Sequence, residues 1–492
     1  MTIRLNNKTL NEIGGSVALP KYDRSKLTAG ILHFGIGNFH RAHQAVYLDD
    51  LMNQGEALDW GVLGAGVMAA DSRMKELLAA QDYLTTIVEE EAQSRKVRVT
   101  GSMCGFVTPG DAAATVAALT DPAIRIVSMT VTEGGYFIDP LTAAFDETHP
   151  AMMADAKSPD RPKTVFGIIA AGLAQRRANG DAPFTVMSCD NIPHNGNVAR
   201  NAVAGVAALS DPAFAEWIIA NVAFPNGMVD RIATATTDAQ RQTLAVEYGV
   251  EDGWPVFCED FRQWVLEDSF PAGRPPLEAA GVQFVSDVTP YEHMKIRILN
   301  GGHAIIGYPA GLLGIEYVHE AMAHPLIAAF LQKVALEEII PIIPPVPNTD
   351  LNGYLALIKT RFANPKIGDT IGRICFDGSN RQPKFIIPSI ADRLDAGASV
   401  TGLALESALW CRYCFGMDEK GATIGSNDPD WSALQDRAKA AKSSPSEWIA
   451  MDNIYGDLAN SQSFSRSFSK SLSSLWQVGV EATLRSYVDG HG

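Results

Sequence analysis

Gly30-Ile-Leu-His-Phe-Gly35-Ile-Gly37-Asn-Phe39-His40-Arg41-Ala-His43 is an apolar run that stops at two closely spaced glycines and resumes with residues suited to a helix. The run reads as a β-strand, Gly35 and Gly37 as a tight turn, and Asn38 onward as the opening of a helix. Backbone without Cβ atoms at a helix N-terminus can approach a pyrophosphate closely, and free N–H groups meet its charge there. Gly35, Ile36, Gly37, Asn38, Phe39, His40 and Arg41 are therefore candidates for binding a dinucleotide. His40 stands where a third fingerprint glycine would fall, and a plain turn is the competing reading.

Further strands follow at intervals filled by helical patterns: Trp60 to Val67, Ile124 to Thr132 and Phe184 to Cys189. Thr164 to Ala170 runs into a helical stretch and belongs to it, while Val282 to Val285 closes this half. Such alternation predicts an α/β domain of Rossmann type with a mostly parallel sheet. Gly66 ends the second strand with Asp71 shortly after it, an acid placed to take ribose hydroxyls and repel a 2′-phosphate. Asp71 equally suits the cap of a helix beginning near Ser72. Glu133 and Gly134 lie at the end of the third of these strands, on the edge where cofactors bind, although a surface turn looks the same.

After about Thr289 the texture becomes helical, with apolar residues at helical spacing over 292–306, 321–340 and 400–415. The expected division is a dinucleotide-binding domain over 1–287 and a mainly helical substrate and catalytic domain over 288–492. No internal repeat is visible. Apolar residues make up 46% and charged residues 20%, the balance of a globular protein, and a net charge of -16 argues against a nucleic-acid surface. Neither a signal core nor an apolar run long enough for a membrane helix occurs, so the cytoplasm is the expected location. Six cysteines are scattered, and Cys411 and Cys414 fall in a helical stretch as small core residues without the partners that a zinc site needs. No metal is expected.

Lys295-Ile-Arg-Ile-Leu-Asn300-Gly-Gly-His303 carries three polar side chains on an otherwise apolar helix. In an α-helix Asn300 falls about 140° around the axis from Lys295, and His303 about 80°, so all three can address one pocket. Burying them without a task is expensive, which points to catalysis.

Taken together, Gly35-x-Gly37-x-Phe39-His40-Arg41-Ala42-His43, Thr132-Glu133-Gly134-Gly135, Ser188-Cys-Asp-Asn191, Phe224 to Arg231, Lys295-x4-Asn300-x2-His303 and Pro383-Lys384-Phe385 resemble the polyol-specific long-chain dehydrogenase/reductase family, in order and over almost the whole chain. The resemblance implies oxidation of D-mannitol to D-fructose and the reverse, with NAD and no zinc. It implies Lys295 as general base, Asn191 and Asn300 as donors to the developing alkoxide, His303 as orienting group, and Glu292 as a proton relay. Burial of the amine beside a cationic nicotinamide favours its neutral, basic form. Asp230, Arg373, Arg381 and Lys384 are the implied grips on the remaining hydroxyls. A monomer is implied, with an oligomer left open. The family's pattern has an acid where Ala70 stands and a lysine where Arg381 stands, which leaves NADP and the choice of polyol open. The alternatives are a hexuronate reductase acting on fructuronate or tagaturonate, a D-arabinitol or D-sorbitol dehydrogenase, a nicotinamide-sensing binding protein, and a zinc alcohol dehydrogenase.

Overall fold

The computed structural model describes residues 2–138 and 144–490, and the chain divides into two compact units, Met1–Thr289 and Pro290–Gly492. In the first unit, five strands, β1 (Ala29–Phe34), β2 (Gly61–Ala65), β3 (Met103–Phe106), β4 (Ile126–Met129) and β5 (Thr185–Ser188), pair in parallel in the order β3-β2-β1-β4-β5. The strand order reverses between β1 and β4, and such a switch point opens a crevice beyond the carboxyl ends of the strands.

Alternation along the strands explains why both faces of this sheet are covered. Leu32 and Phe34, Val127 and Met129, and Val186 join one core with the helices Val165–Asn179 and Asn195–Ala208. Ile31, Ile126 and Met187 join another, with Leu48 and Leu51 of the helix Gln44–Asn53 and with Trp264. Each such side chain taken out of water contributes about 1.5–3 kcal/mol, so the two cores together fix the sheet that carries the loops.

Thr164 caps the helix Val165–Asn179 through its side chain, in keeping with the helical reading of that stretch. Gln283–Val285 is the last strand of this unit, and it lies outside the five-stranded sheet. It pairs with Gln263–Glu267, which runs antiparallel to Gly227–Asp230 in a separate three-stranded sheet. A period-two apolar pattern shows a strand but not its neighbour. A four-stranded sheet of Val17–Ala18, Thr85–Glu90, Arg95–Thr100 and Val256–Glu259 completes the larger β-structure of the unit.

The second unit is helical. The expected helix over 321–340 is broken: Val318–Ala323 ends, Pro325 starts Pro325–Val334 where its missing N–H costs nothing, and Ala335–Ile339 widens into a π-turn. Residues 460–471, in which serine alternates with other residues, run into the helix Gln462–Val478, whose Phe464, Phe468, Leu472 and Leu475 are buried at helical spacing. Among the described residues, no helix is long and apolar enough to cross a membrane.

Candidate active site

The loop after β1 is fixed by backbone. Gly35 has φ +93°, and a Cβ built there lies 2.2 Å from the Thr130 carbonyl oxygen, so only glycine fits. Thr130 Oγ1 in turn donates to the Gly35 carbonyl at 2.7 Å. A Cβ built at Gly37 meets only Gly35 O, at 4.0 Å, and therefore faces open space. That is the cradle a pyrophosphate needs.

Below the loop the polar side chains are spent on structure. The Arg41 side chain is buried, and its guanidinium donates to the carbonyls of Gly37 and Trp254 and to Asn38 Oδ1. Asn38 Nδ2 donates to Thr234 O at 2.9 Å. His40, in place of the third glycine, is buried with its ring stacked 3.7 Å from that of His33, and Ile36 is buried as well. His33 contacts Ser128 Oγ at 2.7 Å and Thr130 Oγ1 at 3.1 Å. Burial pushes the His33 and His43 imidazoles down to about 3 and His40 well below the usual histidine range, so all three are neutral near pH 7. Arg41 and His40 thus brace the loop from beneath, while Phe39 lies partly exposed and stacks on His43.

Asp71 is a cap. The helix begins at Ala69 rather than near Ser72, and Asp71 Oδ2 accepts from Met68 N at 2.8 Å. The same carboxylate lies against Gly66, where a Cβ would stand 2.3 Å from Oδ2. Gly66 is required because Asp71 folds back onto it. Gly134 follows β4 in a 3-10 turn with open space around its Cα; the Glu133 side chain lies outside the described residues.

Asn191 is exposed just past the carboxyl end of β5. Its neighbour Asp190 is the residue that sequence reading passed over. The Asp190 carboxylate accepts from the backbone N–H groups of Val131 and Thr132 and from Tyr136 Oη, joining the loops after β4 and β5. Asp230 ends the strand Gly227–Asp230 and is buried; Arg231 beside it donates to the Ala42 carbonyl and to Glu89, which ties this edge to the helix of the loop.

In the second unit, Lys295, Asn300 and His303 lie on one rod: Thr289–Met294 is α-helical, Lys295–Asn300 is a π-turn, and Gly301–Leu312 is α-helical again. This corrects the α-helical angle of about 140° between Lys295 and Asn300, because bonds from i to i+5 bring residues five apart back to nearly the same side. Lys295 and Glu292 are buried. Asn300 Oδ1 and His303 Nε2 are buried atoms with no hydrogen-bond partner among the described residues, and such groups are expensive unless a ligand satisfies them.

Two glycines follow the π-turn, with neighbouring helices at van der Waals distance from them. A Cβ at Gly301 would stand 3.4 Å from Phe385 O, and one at Gly302 3.4 Å from Phe362 and Leu331. The helices Leu351–Phe362 and Gly378–Phe385 pack against the rod here. His303 stacks on Phe362 with ring centroids 4.3 Å apart. Burial, then the positive charges of Arg373, Arg361 and Arg381, push His303 down to about 3 against the pull of Asp369, so the imidazole is neutral.

Arg373 is half exposed, and Asp369 holds it in a two-pronged pair, Nε to Oδ1 and Nη2 to Oδ2, both at 2.5 Å. Arg381 Nη1 donates to the carbonyls of Arg373 and Ile374 at 3.3 Å, and Lys384 is exposed on the same helix. The i, i+4 spacing of Asp369 and Arg373 was the signal available for this pair. Cys411 and Cys414 are buried in the helix Thr401–Cys414, and among the described residues no group of three His, Cys, Asp or Glu side chains could hold a metal ion.

Comparison with known proteins bears on the whole chain. Residues 29–279 match the model of the mannitol dehydrogenase Rossmann domain and residues 287–476 that of the mannitol dehydrogenase C-terminal domain. The mannitol 2-dehydrogenase of Cereibacter sphaeroides is 58% identical over 474 residues, spanning 96% of this chain and 99% of that protein. That of Pyricularia oryzae is 38% identical over 99% of this chain and 100% of its own. Among solved structures, the Pseudomonas fluorescens mannitol 2-dehydrogenase in ternary complex with NAD and D-mannitol matches with a TM-score of 0.90 and 43% identity over 99% of this chain and all of that one. A D-sorbitol dehydrogenase in substrate-free form matches with a TM-score of 0.89 and 36% identity over 98% of this chain and 100% of that one. With two family models in sequence and relatives matched nearly end to end, this chain belongs to the mannitol dehydrogenase family.

Proposed function

We propose that the protein is an NAD-dependent polyol dehydrogenase that oxidises D-mannitol to D-fructose and catalyses the reverse reduction. The observation that carries this reading is the likeness, over 99% of the chain, to a protein solved with NAD and D-mannitol. Residues 1–287 act as the dinucleotide-binding domain and 288–492 as the substrate and catalytic domain.

When bound, NAD supplies the acceptor for the hydride. Gly35, Ile36, Gly37, Asn38 and Phe39 offer backbone to its pyrophosphate, with the open space at Gly37 as the fitting feature. Asp71 keeps Oδ1 for the ribose hydroxyls while Oδ2 caps the helix, and Glu133 and Gly134 line the cofactor edge.

Lys295, in its neutral form, takes the proton of the reacting hydroxyl as the carbon–hydrogen bond gives up its hydride. No ion is needed for that step. Asn300 donates to the developing alkoxide, and Asn191 has the same role on the first unit. His303 is neutral at working pH, so its unpartnered Nε2 can orient a hydroxyl without adding charge. Glu292, within the same helical rod, passes the proton between Lys295 and solvent. Asp230, Arg373, Arg381 and Lys384 grip the remaining hydroxyls.

A hexuronate substrate needs a free cationic fork, and the engagement of Arg373 by Asp369 supports a neutral one. The test is a panel of five- and six-carbon polyols, ketoses and hexuronates with NAD and NADP, run with and without a chelator. Mannitol and fructose with NAD(H) should give the highest kcat/KM, unchanged by chelation. Turnover of uronates alone, or activity lost with the chelator and restored by zinc, contradicts the reading.

A further inference from the structure

We propose that Asp369 is a specificity-determining residue, which keeps the site selective for neutral polyols by occupying the fork of Arg373 that a substrate carboxylate would otherwise take. The proposal rests on the polyol reading above and adds the device that enforces it.

The pair is asymmetric. The Asp369 side chain is 6% exposed and that of Arg373 51% exposed, so a sunken carboxylate holds a guanidinium that faces outward. Its backbone is pinned on both sides: Val318 N donates to Asp369 O at 2.9 Å, and Ile371 N donates to Glu316 O at 2.9 Å. Thr370 Oγ1, between them, accepts from Arg373 N at 3.2 Å. The carboxylate therefore sits at a fixed place, and the guanidinium comes to it.

Location makes the pair relevant to substrate. Arg373 is the foremost charged group acting on the His303 imidazole, and Asp369 is next, with opposite sign. The short helix Ile371–Ile374 that carries Arg373 packs on the helix Gly301–Leu312 that carries His303: a Cβ built at Gly307 would stand 3.2 Å from the Ile374 side chain. Of the other cations that act on His303, Arg381 spends Nη1 on two carbonyl groups. A planar guanidinium is the side chain best shaped to take a carboxylate through two parallel hydrogen bonds. Here an internal carboxylate already makes that pattern. An anionic substrate has to displace Asp369 or lie beside its charge, whereas a hydroxyl needs only the N–H groups left over. Specificity then comes from a built-in competitor, a repulsive element against the wrong ligand.

The probe is D-mannonate, which differs from D-mannitol in carrying a carboxylate in place of one terminal CH2OH. In each, a secondary carbon gives a hydride to NAD and its hydroxyl gives a proton to the base, leaving a ketone. Only the remote end differs. The native protein should favour mannitol over mannonate by at least about a hundredfold in kcat/KM. In Asp369→Asn the mannonate-to-mannitol ratio should rise by about tenfold or more, chiefly through KM for mannonate. Adding Arg373→Gln to that variant should abolish the gain, a dependence that a merely structural role of Asp369 would not produce. Should Asp369→Asn fail to fold, Asp369→Ser is read in the same way. An unchanged ratio in the folded variant, or a gain that survives loss of Arg373, overturns the proposal. A native protein that turns over mannonate and not mannitol overturns instead the polyol reading beneath it.

Discussion

The loop Gly35 to His43 and the rod Lys295 to His303 are both short, polar-bearing and set among buried apolar residues, yet they are built on opposite principles. In the loop the side chains point into structure and space is left over the backbone: Arg41 and Asn38 are spent on internal hydrogen bonds, His40 is stacked on His33, and a Cβ at Gly37 would meet nothing closer than 4.0 Å. In the rod the backbone is shielded and polar atoms of the side chains are left unspent, at Asn300 Oδ1 and His303 Nε2. A site that binds a phosphate-bearing cofactor can be made of N–H groups, which every sequence possesses. A site that moves a proton cannot, because the backbone has no titratable group. The two regions should therefore respond to substitution in opposite ways.

The largest contrast is expected in catalysis. Lys295→Ala should lower kcat for mannitol oxidation by about a thousandfold while NADH binding, followed by fluorescence, stays near that of the native protein. A matching loss of cofactor affinity would erase the distinction between the regions.

Next in size is the pair of glycines within the loop. Gly35→Ala forces a Cβ at φ +93° into a carbonyl 2.2 Å away and should destabilise the fold by about 2–4 kcal/mol, read as a lowered Tm. Gly37→Val places its side chain in open space, so Tm should stay nearly constant while KM for NAD rises by about tenfold or more and KM for mannitol changes little. Equal thermal losses in the two variants would show that Gly37, too, is a folding residue.

The smallest contrast concerns acid. His33 and His43 in the first unit and His303 in the second are held neutral down to about 3, and His40 is lowered with them. The unfolded chain takes up these protons as pH falls below about 6.5, whereas the folded chain does not. Their contribution to stability is present above about 6.5 and is lost progressively toward pH 3. With three such rings at the loop, amide-exchange protection corrected for intrinsic rate should fall more over 29–53 than over 301–312 between pH 7 and pH 5. Uniform loss would contradict it.

The fold class was readable because it rests on local signals. Each of β1, β2, β4 and β5 falls within an apolar run bounded by glycine or polar residues, and two glycines mark the turn where the backbone must open. Pairing was less readable: Gln283–Val285 has the same period whether it joins the five-stranded sheet or the small three-stranded one, and only long-range contact decides. The residues of the rod stood out as polar groups on an apolar helix, but the π-turn did not, since apolar spacing over six residues fits either winding. Asp71 was legible as a cap, three residues deeper in its helix than expected. What stayed hidden were the partners that hold functional groups in place. Asp190 tethers two loops and Asp369 claims Arg373, and neither role changes the local pattern of hydrophobicity.

The central claim is that the amine of Lys295 is the base and that no ion shares its task. The most direct measurement is rescue of Lys295→Ala by small primary amines added to the assay. The variant should bind NADH, turn mannitol over slowly, and recover in proportion to the unprotonated fraction of the added amine. A Lys295→Ala protein that oxidises mannitol at an undiminished rate near neutral pH, with or without amine, would contradict it.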